Sequence, residues 1–76
     1  MLVGMARKEP VIRNTVHALR IDKGVTQEEL AVAVGVTRQT IISIEKGNYT
    51  PSVLLALKLA QYFSVAVEDV FSITYE

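Results

Sequence analysis

The alternation of apolar and polar residues predicts five short helices and one terminal strand. In each helical segment apolar residues recur three or four positions apart, the spacing that lines one face of an α-helix. Beyond these segments, Ile73 and Tyr75 alternate with polar neighbours over residues 72–76, which favours a short strand or an extended tail. The predicted helices cover about 15–23, the segment between Thr26 and Gly35, 38–46, 53–63 and 67–71.

The second helix carries the clearest start and stop signals. Thr26 is followed three residues later by Glu29, the spacing of a capping box in which each side chain satisfies the other residue's free backbone N–H. Gly35 follows the last apolar position, and glycine adopts the positive φ of a sharp turn without steric cost. Similar signals bound the other helices: N-caps at Asn14, Thr37 and Ser52, and C-terminal stops at Gly24 and Gly47.

Each predicted helix has an apolar stripe that we expect to face a common core. The stripes are Val16 and Leu19; Leu30, Ala31 and Val34; Ile41 and Ile44; Val53, Ala56, Leu57, Ala60 and Phe63; and Val67, Val70 and Phe71.

Residues 26–47 combine two such helices with a tight turn, and the second helix is mostly polar on its outer side. Arg38, Gln39, Ser43 and Lys46 fall on that side, together with Ile42. Two short helices joined in this way are typical of a helix-turn-helix, whose second helix enters the major groove of DNA.

Composition favours one small domain that associates with itself. The chain has 76 residues, 50% of them hydrophobic, and its mean hydropathy is +0.31. We expect a single domain over 1–76, and more apolar surface than a small monomer can bury. There is no cysteine, which excludes disulfides and cysteine-based zinc sites.

Other classes of function find little support. The apolar run Val53–Leu57 is too short to cross a bilayer, and MLVGMARKEP lacks the apolar core of a signal peptide, so we expect a cytoplasmic protein. No nucleophile, acid–base cluster or metal-ligand set indicates an enzyme, a cofactor or a small-molecule ligand. His17, the single histidine, is expected to be an inert surface residue or at most a neighbour of a phosphate.

The net charge is zero, which is unusual for a protein that binds nucleic acid. The charges are unevenly distributed. Residues 1–23 carry five basic and two acidic residues, giving +3, and residues 64–76 carry three acidic residues, giving −3.

Four motifs occur in order: LRIDKGVTQEELA (19–31), VGVTRQTI (34–41), IEKGNYTPS (44–52) and VEDVF (67–71). Together they resemble the Cro/cI-like (XRE) helix-turn-helix family, and most of all its small stand-alone repressors typified by the cytolysin repressor. The resemblance implies a mostly α, five-helix lambda-repressor-like fold and usually a homodimer. It also implies that Pro10–Arg13 and Ser72–Tyr75 pair as a small antiparallel sheet. Residues 1–10 would be an N-terminal arm, with Met5 as an alternative start.

The same resemblance assigns roles to individual residues. Base reading falls to Thr37, Arg38, Gln39 and Ser43, because arginine can bind guanine and glutamine can bind adenine with two hydrogen bonds each. Arg20 and Glu45 match a family pair that forms a buried ion pair. A contact from Gln27 to the DNA backbone is expected both from its place at the start of the second helix and from the resemblance. Further backbone contacts are expected from the residues that follow the third helix, on their position alone: Lys46, Asn48, Tyr49 and Thr50.

Two features leave alternatives open. Ile42 either touches a thymine methyl or packs beneath the edge of its helix. Leu54, with Leu55 and Tyr62, either extends a dimer surface or packs locally against the C-terminal segment.

These observations predict a sequence-specific binder of double-stranded DNA, a homodimeric repressor that reads a palindromic operator. The alternative is an antitoxin or a transcription-bridging module that uses this fold to hold another protein. Only five residues follow Phe71, which leaves little for toxin neutralisation, and a small toxin encoded by the neighbouring gene would favour the antitoxin.

Overall fold

The computed structural model describes residues 8–76. They form five helices, as the sequence pattern predicts, and one two-stranded sheet, as the family resemblance implies. Most of the expected arm, and the alternative start at Met5, lie outside the described residues. In chain order the elements are β1 (Pro10–Asn14), α1 (Val16–Lys23), α2 (Gln27–Val34), α3 (Arg38–Glu45), α4 (Val53–Phe63), α5 (Val67–Val70) and β2 (Phe71–Tyr75).

The sheet joins the first and last elements in antiparallel register, from Pro10 opposite Tyr75 to Asn14 opposite Phe71. Each strand is one residue longer than expected at its helical end, because α5 ends at Val70 and Phe71 is already extended. The pairing brings the basic front of the chain to the acidic tail, where Arg13 forms an ion pair with Glu76. The charge separation along the sequence is therefore partly cancelled in space.

The start of α1 differs from the prediction by one residue. Thr15, rather than Asn14, occupies the N-cap position, because Asn14 belongs to β1. The Asn14 side chain still accepts a hydrogen bond of 3.0 Å from the backbone N–H of Val16. The Thr15 hydroxyl instead donates to the carbonyl oxygen of Asp69 at 2.7 Å, which ties α1 to α5.

The connection between α2 and α3 follows the sequence signals closely. Glu29 N donates to Thr26 Oγ1 at 3.0 Å and Thr26 N donates to Glu29 Oε1 at 2.8 Å, which completes the capping box. Gly35 has a φ of 77°, in the left-handed region that glycine tolerates best. The third helix ends one residue earlier than predicted, with Lys46 as its C-cap.

The core lies between the helices and contains the expected stripes of α2 and α3. The buried apolar residues are Val16, Leu30, Ala31, Val34, Ile41, Ile44, Leu55, Leu59, Ala60 and Val70.

The inward face predicted for α4 is correct at Ala60, which is buried, and at Phe63, which packs against the core, but wrong at Val53 and Leu57. Val53 is 77% exposed and Leu57 is 52% exposed, whereas Leu55 and Leu59 are buried. Because apolar residues occupy almost every side of α4, its sequence fits several faces equally well. Packing against α1, α2 and α5 selects the face of Leu55 and Leu59.

Candidate DNA interface

The first turn of α3 presents polar side chains to solvent. Arg38 and Gln39 are exposed at the start of the helix, while Ile41 and Ile44 anchor its opposite side in the core. The side chains near the N-terminus of the second helix of such a motif are the ones that meet base edges. Thus α3 combines a fixed inner face with a free outer face.

Thr37 and Ser43, which are also predicted to read bases, already have hydrogen-bond partners within the protein. Thr40 N donates to the Thr37 hydroxyl at 3.3 Å, so Thr37 caps α3. Gln39 Nε2 lies 3.5 Å from Ser43 Oγ, at the outer limit of a hydrogen bond. Ser43 and Ile42 are half-buried, so a base contact there would use only part of each side chain.

The loop after α3 contains the remaining expected backbone contacts. Tyr49 is 47% exposed and borders a shallow hollow shared with Val36 and Leu54. The loop continues directly from the C-terminus of α3, so its side chains lie at the end of the helix opposite Arg38. All four predicted residues are exposed: Lys46, Asn48, Tyr49 and Thr50.

Gln27 begins α2 and is half-buried. It lines an open groove that Arg38 also lines, with Arg20, Thr26 and neighbouring residues of the α1–α2 turn. Its amide, however, points inward and donates to Glu45 Oε1 at 3.2 Å. The expected phosphate-binding amide is therefore held by a carboxylate in this structure.

Arg20 and Glu45 form a buried ion pair between α1 and α3, with 9% and 6% of their side chains exposed. Arg20 Nε donates to Glu45 Oε2 at 2.7 Å, and Arg20 Nη2 donates to Glu45 Oε1 at 3.2 Å. Arg20 Nη1 donates to the carbonyl oxygen of Val25 at 3.0 Å. One guanidinium thus links α1, the turn before α2 and the end of α3.

The surroundings of Glu45 favour its charged form. Burial raises the pKa of its carboxyl, but hydrogen bonds from Arg20, Gln27 and His17 and the charge of Arg20 outweigh burial. The pKa of Glu45 therefore lies below its usual value. The hydrogen bond to Glu45 likewise raises the pKa of Arg20, against the opposing effect of desolvation.

Two contacts near α3 were not anticipated. His17, expected to be inert, places Nδ1 3.2 Å from Glu45 Oε1 and 3.1 Å from Arg20 Nη2. Asn14 Nδ2 donates to the carbonyl oxygen of Ile44 at 2.9 Å. The contacts of His17 with Glu45 and of Asn14 with Ile44 have no local signature, because these partners lie 28 and 30 residues away in the chain. Arg20, by contrast, lies one helical turn from His17.

Within residues 8–76, no group of three or more metal-ligating side chains comes together, and no helix is both long and apolar enough to cross a membrane.

Comparison with known proteins assigns this arrangement to a family. The family model described as helix-turn-helix matches residues 16–70, from the first residue of α1 to the last of α5. The chain belongs to the XRE-type helix-turn-helix family. It is accordingly a transcriptional regulator with a helix-turn-helix DNA-binding domain, and members of this family are typically not enzymes.

Relatives from different sources agree with this assignment. An HTH-type transcriptional regulator of Bacillus subtilis, YgzD, is 55% identical over 60 residues, covering 79% of this chain and 91% of that protein. The CTXphi transcriptional repressor RstR of Vibrio cholerae is 32% identical over 57 residues, covering 75% of this chain and 51% of RstR.

A solved structure shares the fold. The restriction-modification controller protein C.AhdI of Aeromonas hydrophila superposes with a TM-score of 0.66 at 31% identity, covering 71% of this chain and 78% of C.AhdI.

Proposed function

We propose that the protein is a homodimeric repressor that reads a palindromic operator through the major groove. The observation that carries this proposal is the exposure of Arg38 and Gln39 on the first turn of a helix whose other face is fixed in the core. Arginine can bind guanine O6 and N7, and glutamine can bind adenine N6 and N7. Each such pair contributes about 1–3 kcal/mol of discrimination between bases.

Thr37 and Ser43 are proposed to add contacts at the margins of this reading surface. The Thr37 hydroxyl oxygen already accepts the hydrogen bond that caps α3. Its hydroxyl hydrogen and its methyl group are still available for contact with a base. Ser43 lies one turn further along and keeps part of its surface exposed.

We assign contacts with the DNA backbone to both flanks of α3. On one flank, Gln27 shares an open groove with Arg38 at the N-terminus of α2, where free backbone N–H groups favour an anion. The other flank consists of the exposed residues that follow α3: Lys46, Asn48, Tyr49 and Thr50.

Exposed apolar surface on α4 supports the homodimer. Val53, Leu54 and Leu57 are 77%, 64% and 52% exposed, and they cluster in the first half of one helix. A closed twofold dimer uses the same patch of both copies, so an apolar patch on α4 can cover its own counterpart.

Repression is supported by the likeness to RstR, which is named a transcriptional repressor. The proposed role requires no cofactor and no catalysis. It places the protein in the cytoplasm, where bacterial and archaeal DNA is accessible.

Selection from random double-stranded DNA, followed by footprinting, tests the proposal. We expect two protected half-sites about 10 bp apart, since dimers of this kind bind half-sites one helical turn apart. Sedimentation of the complex should give two chains per duplex, and affinity should fall with salt as phosphate contacts require. A single half-site bound by one chain, or affinity independent of salt, would contradict the model. A reporter gene behind the selected operator then separates repression from activation.

A further inference from the structure

The carboxylate of Glu45 is approached by three side chains from three different positions in the fold. Its Oε1 lies 3.2 Å from His17 Nδ1, 3.2 Å from Arg20 Nη2 and 3.2 Å from Gln27 Nε2. A carboxylate oxygen offers about two acceptor sites, so three donors compete for one atom.

Arg20 is the fixed member of this group. It also donates to Glu45 Oε2 at 2.7 Å and to the carbonyl oxygen of Val25 at 3.0 Å, and it is buried. Competition for Oε1 is therefore chiefly between the imidazole of His17 and the amide of Gln27. The side chain of His17 is 65% exposed, so its ring is open to solvent.

The Nδ1 atom of His17 lies close to one hydrogen-bond donor and to one hydrogen-bond acceptor. Nδ1 lies 3.1 Å from a donor, Arg20 Nη2, and 3.2 Å from an acceptor, Glu45 Oε1. A neutral imidazole protonated on Nε2 accepts from Arg20 and leaves Oε1 to Gln27. A protonated imidazole can only donate, and its charged hydrogen bond to Oε1 is stronger than that of a neutral amide.

We propose that His17 is a proton-sensitive positioning residue, whose protonation displaces the Gln27 amide from Glu45 and frees it for a DNA phosphate. The inference rests on the proposed function, in which Gln27 binds the DNA backbone. Within the described chain, the charged groups at hydrogen-bonding distance from the imidazole are Arg20 on its own helix and Glu45 on α3. Gln27, from α2, is uncharged.

The consequence is an operator affinity that rises as pH falls from 8 to 5.5, the range in which histidines change charge. His17 is the single histidine and there is no cysteine, which limits the other side chains expected to titrate in this range. One hydrogen bond from the freed amide to a charged phosphate corresponds to a gain of roughly tenfold to hundredfold in affinity.

The test measures the dissociation constant for the selected operator at pH 5.5, 6.5 and 7.5, at constant salt. The wild-type protein should bind more tightly as pH falls, and both His17→Ala and Gln27→Ala should lose this dependence. The variant His17→Ala, Ala18→His moves the titrating charge to the neighbouring exposed position, away from Glu45, and should not restore it. A Gln27→Ala protein with the full wild-type pH dependence would overturn the proposal, as would restoration by Ala18→His.

A second measurement separates this inference from the proposed function. In the DNA-free protein, the side-chain NH₂ resonances of Gln27 should shift with pH in the wild type and stay constant in His17→Ala. If neither the wild type nor any variant binds an operator, but the Gln27 resonances shift with pH in the wild type, the proposed function is refuted and the displacement of Gln27 is supported. If the resonances do not respond to pH, the displacement itself is refuted.

Discussion

The side-chain amide of Asn14 donates a 2.9 Å hydrogen bond to the carbonyl oxygen of Ile44, joining β1 to the last turn of α3. The same side chain accepts from the backbone N–H of Val16 at 3.0 Å. One residue thus links the sheet, the first turn of α1 and the last turn of α3. The carbonyl oxygen of Ile44 also accepts from the backbone N–H of Gly47 at 2.9 Å, so the Asn14 amide is its second donor at the C-terminus of α3.

Asn14→Asp should destabilise the fold, because a carboxylate cannot donate to the carbonyl of Ile44 and would face it with negative charge. The expected loss in the free energy of unfolding is about 1–3 kcal/mol. Urea titration measures it. Asn48→Asp, the same substitution in the exposed loop after α3, is the control and should leave the unfolding midpoint nearly unchanged. Equal effects of the two substitutions would show that the bond to Ile44 contributes nothing specific.

Removal of Arg20 should be far more damaging than removal of an exposed arginine. Arg20→Ala leaves the buried carboxylate of Glu45 without its main partner, a loss of about 3–5 kcal/mol. For a domain of this size, the melting temperature should fall by more than about 10 °C. The control is Arg13→Ala, which breaks the exposed pair with Glu76 and should barely change the melting temperature. An unchanged melting temperature for Arg20→Ala would refute the role given to the buried pair.

The lowered pKa of Glu45 predicts a specific loss of stability in acid. In the unfolded chain the pKa of glutamate is about 4.3. In the folded protein the pKa of Glu45 lies below its usual value. The ionised carboxylate of Glu45 therefore stabilises the folded protein fully at pH values above the pKa of unfolded glutamate. This stabilisation disappears as the pH falls through the pKa of Glu45 in the folded protein. The difference in unfolding free energy between wild type and Glu45→Gln should be large at pH 6 and shrink below about pH 4. Glu28→Gln, on the exposed side of α2, should differ little from wild type throughout. A Glu45→Gln difference that stays constant down to pH 3 would contradict this prediction.

Substitution of Gln39, a proposed base contact, and of Gln27, a proposed phosphate contact, should change DNA binding in different ways. Gln39→Ala should reduce discrimination at one position of each half-site, by roughly 1–3 kcal/mol, with smaller effects on other sequences. Gln27→Ala should weaken binding to all DNA sequences alike, because a phosphate contact carries no sequence information. The dependence on salt should stay nearly unchanged, because the uncharged amide neutralises no phosphate and releases no counterion. Binding to a library of single-base operator variants distinguishes the two patterns. The assignment fails if Gln27→Ala changes the preferred base or Gln39→Ala weakens all sites uniformly.

The proposed α4 interface predicts that Leu57→Lys yields a folded monomer. Leu57 is 52% exposed in one chain, so lysine should be tolerated there, whereas burial of its charge between two copies is unfavourable. Sedimentation equilibrium should show dissociation, and affinity for the full operator should fall further than affinity for an isolated half-site. Val32→Lys is the matched control, at a 71% exposed position on α2. Dissociation by Val32→Lys but not by Leu57→Lys would place the interface elsewhere.

Local signals in the sequence were enough to predict the helix-turn-helix itself. The capping box of Thr26 and Glu29, the N-cap at Thr37 and the turn at Gly35 depend on residues within a few positions of one another. Such signals can be identified without knowing which distant residues pack against these helices. The strand pairing, by contrast, followed only from family resemblance.

Features that depend on distant residues were missed or misplaced. In α4, apolar residues occur on nearly every side, so periodicity could not show that Leu55 and Leu59, rather than Val53 and Leu57, face the core. The convergence of His17 and Gln27 on Glu45 joins three segments through packing of α1, α2 and α3. The spacing of these residues along the chain does not predict that they come together.

The strand pairing also has a consequence for the order of folding. The contact between Arg13 and Glu76 joins residues 63 positions apart, and the loop it closes contains all five helices. Closing a long loop costs more entropy than packing α2 against α3, and contacts between near neighbours form faster. We therefore expect the helical part to assemble first and the sheet to close last, so that the DNA-reading unit can form before the two strands meet.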